Sequence, residues 1–195
     1  MAGRLVLASA SPRRKDLLGE LGLAFDVRPT DVDETPRSGE TPEVLVTRLA
    51  RSKADAGARA AGPDAIVLGA DTVVAIDDDV LGKPADATDA ADMLRRLTRR
   101  SHRVLTGVAV AVAGRPIAVE VVTTHVAFRS LTPDEIDAYV ATGEPLDKAG
   151  AYGIQGHGGA LVASIEGPYD NVVGLPLGCV RRLLTAAGID VSDPD

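Results

Sequence analysis

Hydroxyl and guanidinium groups are concentrated in one short segment, where Ser9 and Ser11 precede Pro12 and the adjacent arginines Arg13 and Arg14. An apolar run with β character comes just before it, and a proline in this position is typical of a first helical turn. Backbone amides at a helix N-terminus bind phosphate well together with hydroxyl and guanidinium groups. The segment therefore indicates a phosphate site. The alternative is that a serine only caps the helix while the arginines are solvated.

A second candidate pairs an acidic residue with one of the chain's four lysines. Asp71 follows Gly69 and Ala70 at the expected end of an apolar strand, and Lys83 lies just beyond a predicted turn at 77–79. Because β-rich runs flank that turn, we predict a hairpin that carries both residues. A carboxylate close to an ammonium group suits metal and phosphate binding. An aspartate at a strand end is, however, more often a turn or cap residue.

Other polar residues have simple interpretations when each is taken alone. Lys53 lies among alanines on a predicted helix, and Glu34 lies in a polar loop, so both are most simply surface charges. In the glycine-rich stretch that follows Asp147, the backbone can approach a ligand closely, and Tyr152 and Gln155 carry the groups to stack on and hydrogen-bond a nucleobase. Alternatively, the glycines form turns and Tyr152 belongs to the core.

An α/β scaffold is predicted to position these residues. Hydrophobic periodicity and turn signals predict strands at 4–8, 24–28, 66–68, 73–76, 104–112 and 117–128, and helices at 12–22, 42–61, 86–98, after Thr132, and from about 171 or 176 to 187. The two element types are mixed without regular alternation, which indicates an α/β or α+β fold with a mixed, partly antiparallel sheet. A length of 195 residues fits a single domain over 1–195.

Composition excludes several classes of partner. The chain has 28 acidic and 21 basic residues and a net charge of −7, so we do not expect it to bind nucleic acid. No apolar stretch approaches the ~20 residues that span a bilayer, and no signal-peptide segment is apparent, so a cytoplasmic protein without membrane attachment is expected. The P-loop, serine-hydrolase and zincin motifs are all absent from the sequence.

Five segments of the chain, in this order and spacing, resemble the Maf family: Leu7 to Arg14, Gly69 to Val74, Leu81 to Pro84, Asp147 to Gly156 and Val172 to Leu177. The resemblance runs from about Leu5 to Leu184. It implies a nucleoside triphosphate pyrophosphatase that releases a monophosphate and pyrophosphate from a small-molecule nucleotide. It also implies a fold related to the inosine triphosphatases, with a long mixed sheet and helices around a central cleft. Family members are often dimers, so a homodimer is possible.

The same resemblance assigns roles to individual residues. Phosphate binding and catalysis would fall to Ser9, Arg14, Lys53 and Lys83. A divalent cation (Mg²⁺, Mn²⁺ or Co²⁺) would be held by Asp71 and Glu34. Asp71 would either activate the attacking water or serve only as a metal ligand.

Residues near the base distinguish the branches of the family. Arg13, Thr72 and Gln155 resemble the branch that acts on dTTP and UTP rather than the 7-methyl-GTP branch. Two other functions remain open at this point. One is a nucleotide-binding regulator of septum formation and cell division without turnover. The other is a nucleic-acid-binding module, against which the acidic balance and the total of five Phe and Tyr residues both argue.

Overall fold

A computed structural model describes residues 3–113, 115 and 117–191 of the chain. These residues divide into two compact units. The first unit comprises Met1–Asp71, Thr106–Val122 and Gly174–Asp195, and the second comprises Thr72–Leu105 and Thr123–Val173. Among the described residues, no helix is both long enough and apolar enough to cross a membrane.

Seven strands in the described part of the chain form one mixed sheet in the order β2-β1-β3-β5-β6-β7, with β4 paired to β3. The strands are β1 (Arg4–Leu7), β2 (Phe25–Val27), β3 (Ala65–Ile76), β4 (Asp79–Leu81), β5 (Ser101–Val112), β6 (Ala118–Phe128) and β7 (Val162–Glu166). β1 is parallel to both β2 and β3, whereas β3 with β4 and β6 with β7 are antiparallel pairs. The predicted mixed, partly antiparallel sheet is confirmed.

Most helices begin where a polar side chain caps the backbone. The helices are α1 (Pro12–Gly19), α2 (Pro42–Ala61), α3 (Ala87–Leu97), α4 (Pro133–Ala141), α5 (Tyr169–Val173) and α6 (Leu177–Ala187). Ser11, Thr41, Asp86 and Thr132 cap the first four of these, and Thr132 with Glu135 forms the capping box that the sequence predicts. Short 3₁₀ turns occupy much of the glycine-rich segment between α4 and β7.

One hydrophobic cluster of the first unit is built from small residues. Alanines and valines of β1, β3 and β5 pack against Ala50 and Ala54 of α2. Because these side chains are short, the helix backbone lies close to the strands: a Cβ added at Gly69 would lie 2.6 Å from the carbonyl oxygen of Ala50, and one added at Gly107 only 2.3 Å from that of Val46. The helix that carries Lys53 is therefore fixed against the sheet by backbone contact.

The core of the second unit contains an aromatic cluster. His102, Phe128 and Tyr152 pack edge to face, with ring centroids 4.8 to 5.4 Å apart. The hydroxyl of Tyr152 lies 2.8 Å from Nε2 of His102, and both residues are buried. Of the two interpretations given for Tyr152, the structure therefore supports the one in which it belongs to the core.

The buried His102 makes stability depend on pH. Burial lowers the pKa of His102 from 6.5 to about 4. Between these pH values the unfolded chain binds a proton at His102 that the folded chain does not. The contribution of neutral His102 to the free energy of unfolding is therefore fully present above pH 6.5 and decreases as the pH falls towards 4. We expect a loss of about 3 kcal/mol over this range. The measurement is urea denaturation at several pH values, comparing the wild type with His102→Gln.

Carboxylates also titrate in this range, so only the difference between the two proteins reports on His102. His125→Gln removes an exposed histidine and should retain the wild-type pH dependence. Equal losses of stability in wild type and His102→Gln would contradict the prediction.

Three elements differ from those predicted. Asp71 lies inside one continuous strand, Ala65–Ile76, rather than at a strand end, because Gly69 to Thr72 keep an extended backbone between the two apolar runs. β7 was not predicted, since most of its side chains are exposed and it pairs only with β6. The last helix begins at Leu177, in agreement with the later of the two predicted starts, and Tyr169–Val173 forms the separate short helix α5; Gly174, with a positive φ of 123°, lies between the two helices.

Candidate active site

The centre of the candidate site is a buried lysine between two carboxylates. Lys53 lies on α2 at helical spacing from Leu45, Leu49 and Gly57, which places it on the buried face of that helix. Its Nζ lies 2.6 Å from Oδ1 of Asp71 and 2.6 Å from Oε1 of Glu34. The interpretation of Lys53 as a surface charge is therefore wrong.

Burying the charged groups of this network costs free energy. Lys53 and Asp71 are each only 8% exposed, and an unpaired charge at such depth is strongly destabilising. Contact with Asp71 compensates the ammonium group, while Glu34, whose side chain is 60% exposed, adds a second carboxylate from the solvent side. The three side chains together carry a net charge of −1 and form one connected network.

Arg14 lies close to the same network. Its Nη1 donates to the carbonyl oxygen of Ala70 at 2.8 Å and to Oγ of Ser9 at 3.4 Å, and its Nε donates to the carbonyl oxygen of Gly174 at 2.9 Å. Burial lowers the pKa of the guanidinium, and the charges of Asp71 and Glu34 oppose that shift. The alternative in which the arginines are only solvated therefore fails for Arg14.

The start of α1 completes the group in the first unit. Oγ of Ser11 accepts from the backbone amide of Arg14, so Ser11 is the residue that caps the helix. Ser9 is buried, and its Oγ accepts from the amide of Ser11 at 3.2 Å. Arg13 is half-buried on the first turn of the helix. Of the residues predicted from sequence, the structure thus brings together Ser9, Arg14, Glu34, Lys53 and Asp71.

Asp71 and Glu34 satisfy a simple test for cation binding. Each places one carboxylate oxygen within 2.6 Å of the same cationic atom, Nζ of Lys53. Mg²⁺ is usually held by one or two carboxylates together with phosphate oxygens and water. Within the described residues, no group of three or more His, Cys, Asp or Glu side chains is arranged to hold a metal ion. Asp71 and Glu34 are therefore the two residues that would hold such a cation together with a phosphate ligand.

The remaining predicted residues lie in the second unit. Thr72 is half-buried and directly follows Asp71 on β3. β4 pairs with β3 through Val74 and Leu81, which confirms the predicted hairpin, and Lys83 is exposed two residues after Leu81. The sequence analysis paired Asp71 with Lys83, whereas in the structure the lysine that contacts Asp71 is Lys53.

Gln155 lies on a loop that an acidic residue anchors. Glu144 accepts hydrogen bonds from the amides of His157, at 2.9 Å, and Gly158, at 3.0 Å, and from the hydroxyl of Tyr139, at 2.8 Å. Gln155 itself is exposed, two residues before His157. Glu144 was not singled out from the sequence, because the two amides that it binds lie 13 and 14 residues later and leave no short motif.

A surface cavity of about 450 Å³ lies elsewhere on the first unit. Residues of the outer face of α2 line it: Glu43, Val44, Thr47, Arg48, Arg51 and Ser52. None of the residues predicted to bind phosphate is among them. The hydrogen-bonded network, and not this cavity, therefore defines the candidate site.

Comparisons with known proteins identify related sequences and a related fold. The model of the Maf-like protein family matches residues 4–187. A protein from Anaeromyxobacter dehalogenans (strain 2CP-C), named dTTP/UTP pyrophosphatase, is 56% identical over 191 residues, covering 96% of each chain. One from Moorella thermoacetica with the same name is 57% identical over 189 residues, covering 96% of this chain and 97% of that protein.

Similarity to a solved structure concerns the fold alone. A HAM1 protein from Coxiella burnetii has a TM-score of 0.50 and 17% identity, and the match covers 95% of this chain and 98% of that one. The predicted fold class is thereby confirmed. Because the family model spans nearly the whole length and full-length relatives are more than half identical, the chain belongs to the Maf-like protein family.

Proposed function

We propose that this protein is a dTTP/UTP pyrophosphatase, which hydrolyses the nucleotide between the α and β phosphates. The observation that carries the proposal is the network of Lys53, Asp71, Glu34 and Arg14, which combines two cationic groups with two carboxylates. Cations neutralise phosphate oxygens, and a carboxylate is able to accept a proton from water. The names of the full-length relatives supply the substrates.

In the proposed reaction, Asp71 takes a proton from water as the water oxygen bonds to the α phosphorus. The bond between that phosphorus and the α–β bridging oxygen breaks, and its electron pair leaves with pyrophosphate. Arg14 and Lys53 neutralise phosphate oxygens as negative charge develops on the leaving group. Ser9 and the positive end of the α1 dipole bind the phosphate chain. Lys83 keeps the phosphate-binding role that the family resemblance implies.

We propose that the reaction uses a divalent cation, Mg²⁺, Mn²⁺ or Co²⁺, held by Asp71 and Glu34. When bound, such a cation supplies positive charge to the triphosphate. Lys53 then holds both carboxylates in place and contributes charge of its own. A carboxylate that binds the cation directly has less freedom to act as a base, so Asp71 has two alternative roles that experiment must distinguish.

Base selection is assigned to Arg13, Thr72 and Gln155 by their agreement with the dTTP/UTP branch. Polar groups left unpaired by a wrong base penalise that base strongly, which is how such residues discriminate. The proposed location is the cytoplasm, where nucleoside triphosphates are made and used. Homodimer formation stays a prediction.

The proposal predicts a defined product pattern. Purified protein with Mg²⁺ should convert dTTP and UTP to the monophosphate and pyrophosphate in equal amounts, with lower kcat/KM for CTP, GTP and 7-methyl-GTP. Chromatography that resolves mono-, di- and triphosphates, with a separate pyrophosphate assay, makes the measurement. Preferred turnover of 7-methyl-GTP would overturn the assignment to the dTTP/UTP branch. Nucleotide binding without turnover would favour a regulatory protein.

A further inference from the structure

Glu34 lies on a segment that has no regular structure of its own. Residues 28–41, between β2 and α2, form neither helix nor strand. A loop of this length has many accessible conformations, so the position of one side chain within it depends on specific anchors. The contact of Glu34 with Lys53 is therefore only as well defined as the anchoring of its neighbours.

Arg48 of α2 supplies that anchor. Its Nη2 donates to the carbonyl oxygen of Thr35 at 3.0 Å, and its Nη1 donates to that of Asp33 at 3.4 Å. These are the residues on either side of Glu34. A single guanidinium thus binds the backbone immediately before and immediately after the carboxylate that contacts Lys53.

Glu40 holds the guanidinium in this orientation. Nε and Nη2 of Arg48 donate to its two carboxylate oxygens at 2.5 and 2.8 Å, which is the bidentate geometry that fixes a guanidinium plane. The second oxygen also accepts from the amide of Arg37 at 2.8 Å. The side chains of Arg48 and Glu40 are 16% and 9% exposed. The hydrogen bond from Arg48 lowers the pKa of Glu40 to about 2, so the pair stays ionised near neutral pH.

We propose that Arg48 and Glu40 form a clamp that positions Glu34 against Lys53 and Asp71 for catalysis. This inference rests on the proposed pyrophosphatase activity. Arg48 and Glu40 are positioning residues, because the hydrogen bonds of Arg48 join it to the loop and to Glu40, whereas Asp71 acts on Arg48 only through its charge. Arg48→Lys retains the charge but lacks the planar fork that binds a carboxylate and two carbonyl groups at once.

A double-mutant cycle tests the connection to Glu34. Arg48→Met should lower kcat/KM for dTTP by about 10- to 100-fold, as expected when a reacting group is displaced by about 1 Å. Arg48→Lys should not rescue it. If the clamp acts through Glu34, Arg48→Met combined with Glu34→Gln is no slower than Glu34→Gln alone. Losses that multiply in the double variant would overturn the proposal.

Amide hydrogen exchange gives a second readout that needs no turnover. In the structure, the amide of Thr35 donates to Oδ1 of Asp33, and the amide of Arg37 donates to Glu40. Arg48→Met should speed exchange at residues 33–40 while β3 exchanges as in the wild type. Unchanged exchange in this loop would also overturn the clamp.

The matched control is Arg51→Met. Arg51 is an exposed arginine on the same helix, and its guanidinium donates to the carbonyl oxygen of Ile117 at 3.2 Å. It should leave both loop exchange and kcat/KM unchanged. Because exchange is measured without nucleotide, a wild-type protein that does not hydrolyse dTTP or UTP would overturn the proposed function while the exchange result still decides the clamp.

Discussion

Asp71→Asn is expected to lower kcat for dTTP by about 10²- to 10⁴-fold, the range typical of a lost general base. The substitution keeps the size of the side chain but removes the charge that contacts Nζ of Lys53 at 2.6 Å. An amide neither accepts a proton from water at neutral pH nor binds a divalent cation as a carboxylate does. Steady-state and single-turnover assays of pyrophosphate release measure the effect.

Two comparisons separate catalysis from folding. Asp55→Asn, on the same helix as Lys53, removes an exposed carboxylate paired with Arg59 and should retain wild-type turnover. Thermal unfolding of Asp71→Asn establishes that the assayed protein is folded. Near-wild-type kcat in folded Asp71→Asn would remove Asp71 from the mechanism.

Binding of Mn²⁺ distinguishes the two roles of Asp71. If Asp71 is a ligand, Asp71→Asn weakens Mn²⁺ binding in the presence of a non-hydrolysable nucleotide analogue. If Asp71 acts only as a base, Mn²⁺ binds as in the wild type although turnover is lost.

Much of the fold follows from local signals in the sequence. The bounds of α2 agree with the prediction because Thr41 caps the helix, Pro42 starts it and Gly62 ends it. The capping box of α4 is equally local. β7 was missed because a short, mostly exposed strand acquires its identity from pairing with β6, which is distant in sequence.

Part of the candidate site was also predicted from the sequence, but by resemblance to the family and not by local signals. Resemblance to the family named Lys53 and Glu34, whereas the local sequence around each residue favoured a surface charge. Helical spacing does contain the signal for Lys53: it lies four residues after Leu49 and four before Gly57, both on the buried face of α2. A lysine at such a position requires a buried partner, and Asp71 provides it.

Arg48, Glu40 and Glu144 were missed for a common physical reason. Each acts on backbone groups, through carbonyl oxygens in the case of Arg48 and amides in the case of Glu40 and Glu144. Backbone groups are present at every residue, so their recognition leaves no pattern in the types of the residues that are recognised. Such anchors become visible only when the loop and its support are placed in three dimensions.

The close approach of α2 to β3 leads to the second large effect. A Cβ at Gly69 would lie 2.5 Å from the amide nitrogen of Ala54 and 2.6 Å from the carbonyl oxygen of Ala50. Both atoms belong to the helix backbone, so no side-chain rotation relieves the overlap. To accommodate the methyl group, α2 must move away from β3. Lys53 lies on the helix and Asp71 on the strand, so that movement also lengthens the contact between them.

We therefore expect Gly69→Ala to lower the free energy of unfolding by about 3 kcal/mol, the upper part of the usual range for overpacking. In the fraction that stays folded, kcat should also decrease, because separating α2 from β3 displaces Lys53 from Asp71. Urea denaturation and turnover at a temperature where the variant is folded measure the two effects separately.

Gly178→Ala is the matched control: the added Cβ meets no atom within 4 Å on α6, so stability should be retained or increase by up to about 1 kcal/mol. Wild-type stability in Gly69→Ala would show that α2 does not pack against β3 at the distance described, and the contact between Lys53 and Asp71 would then lose its structural basis.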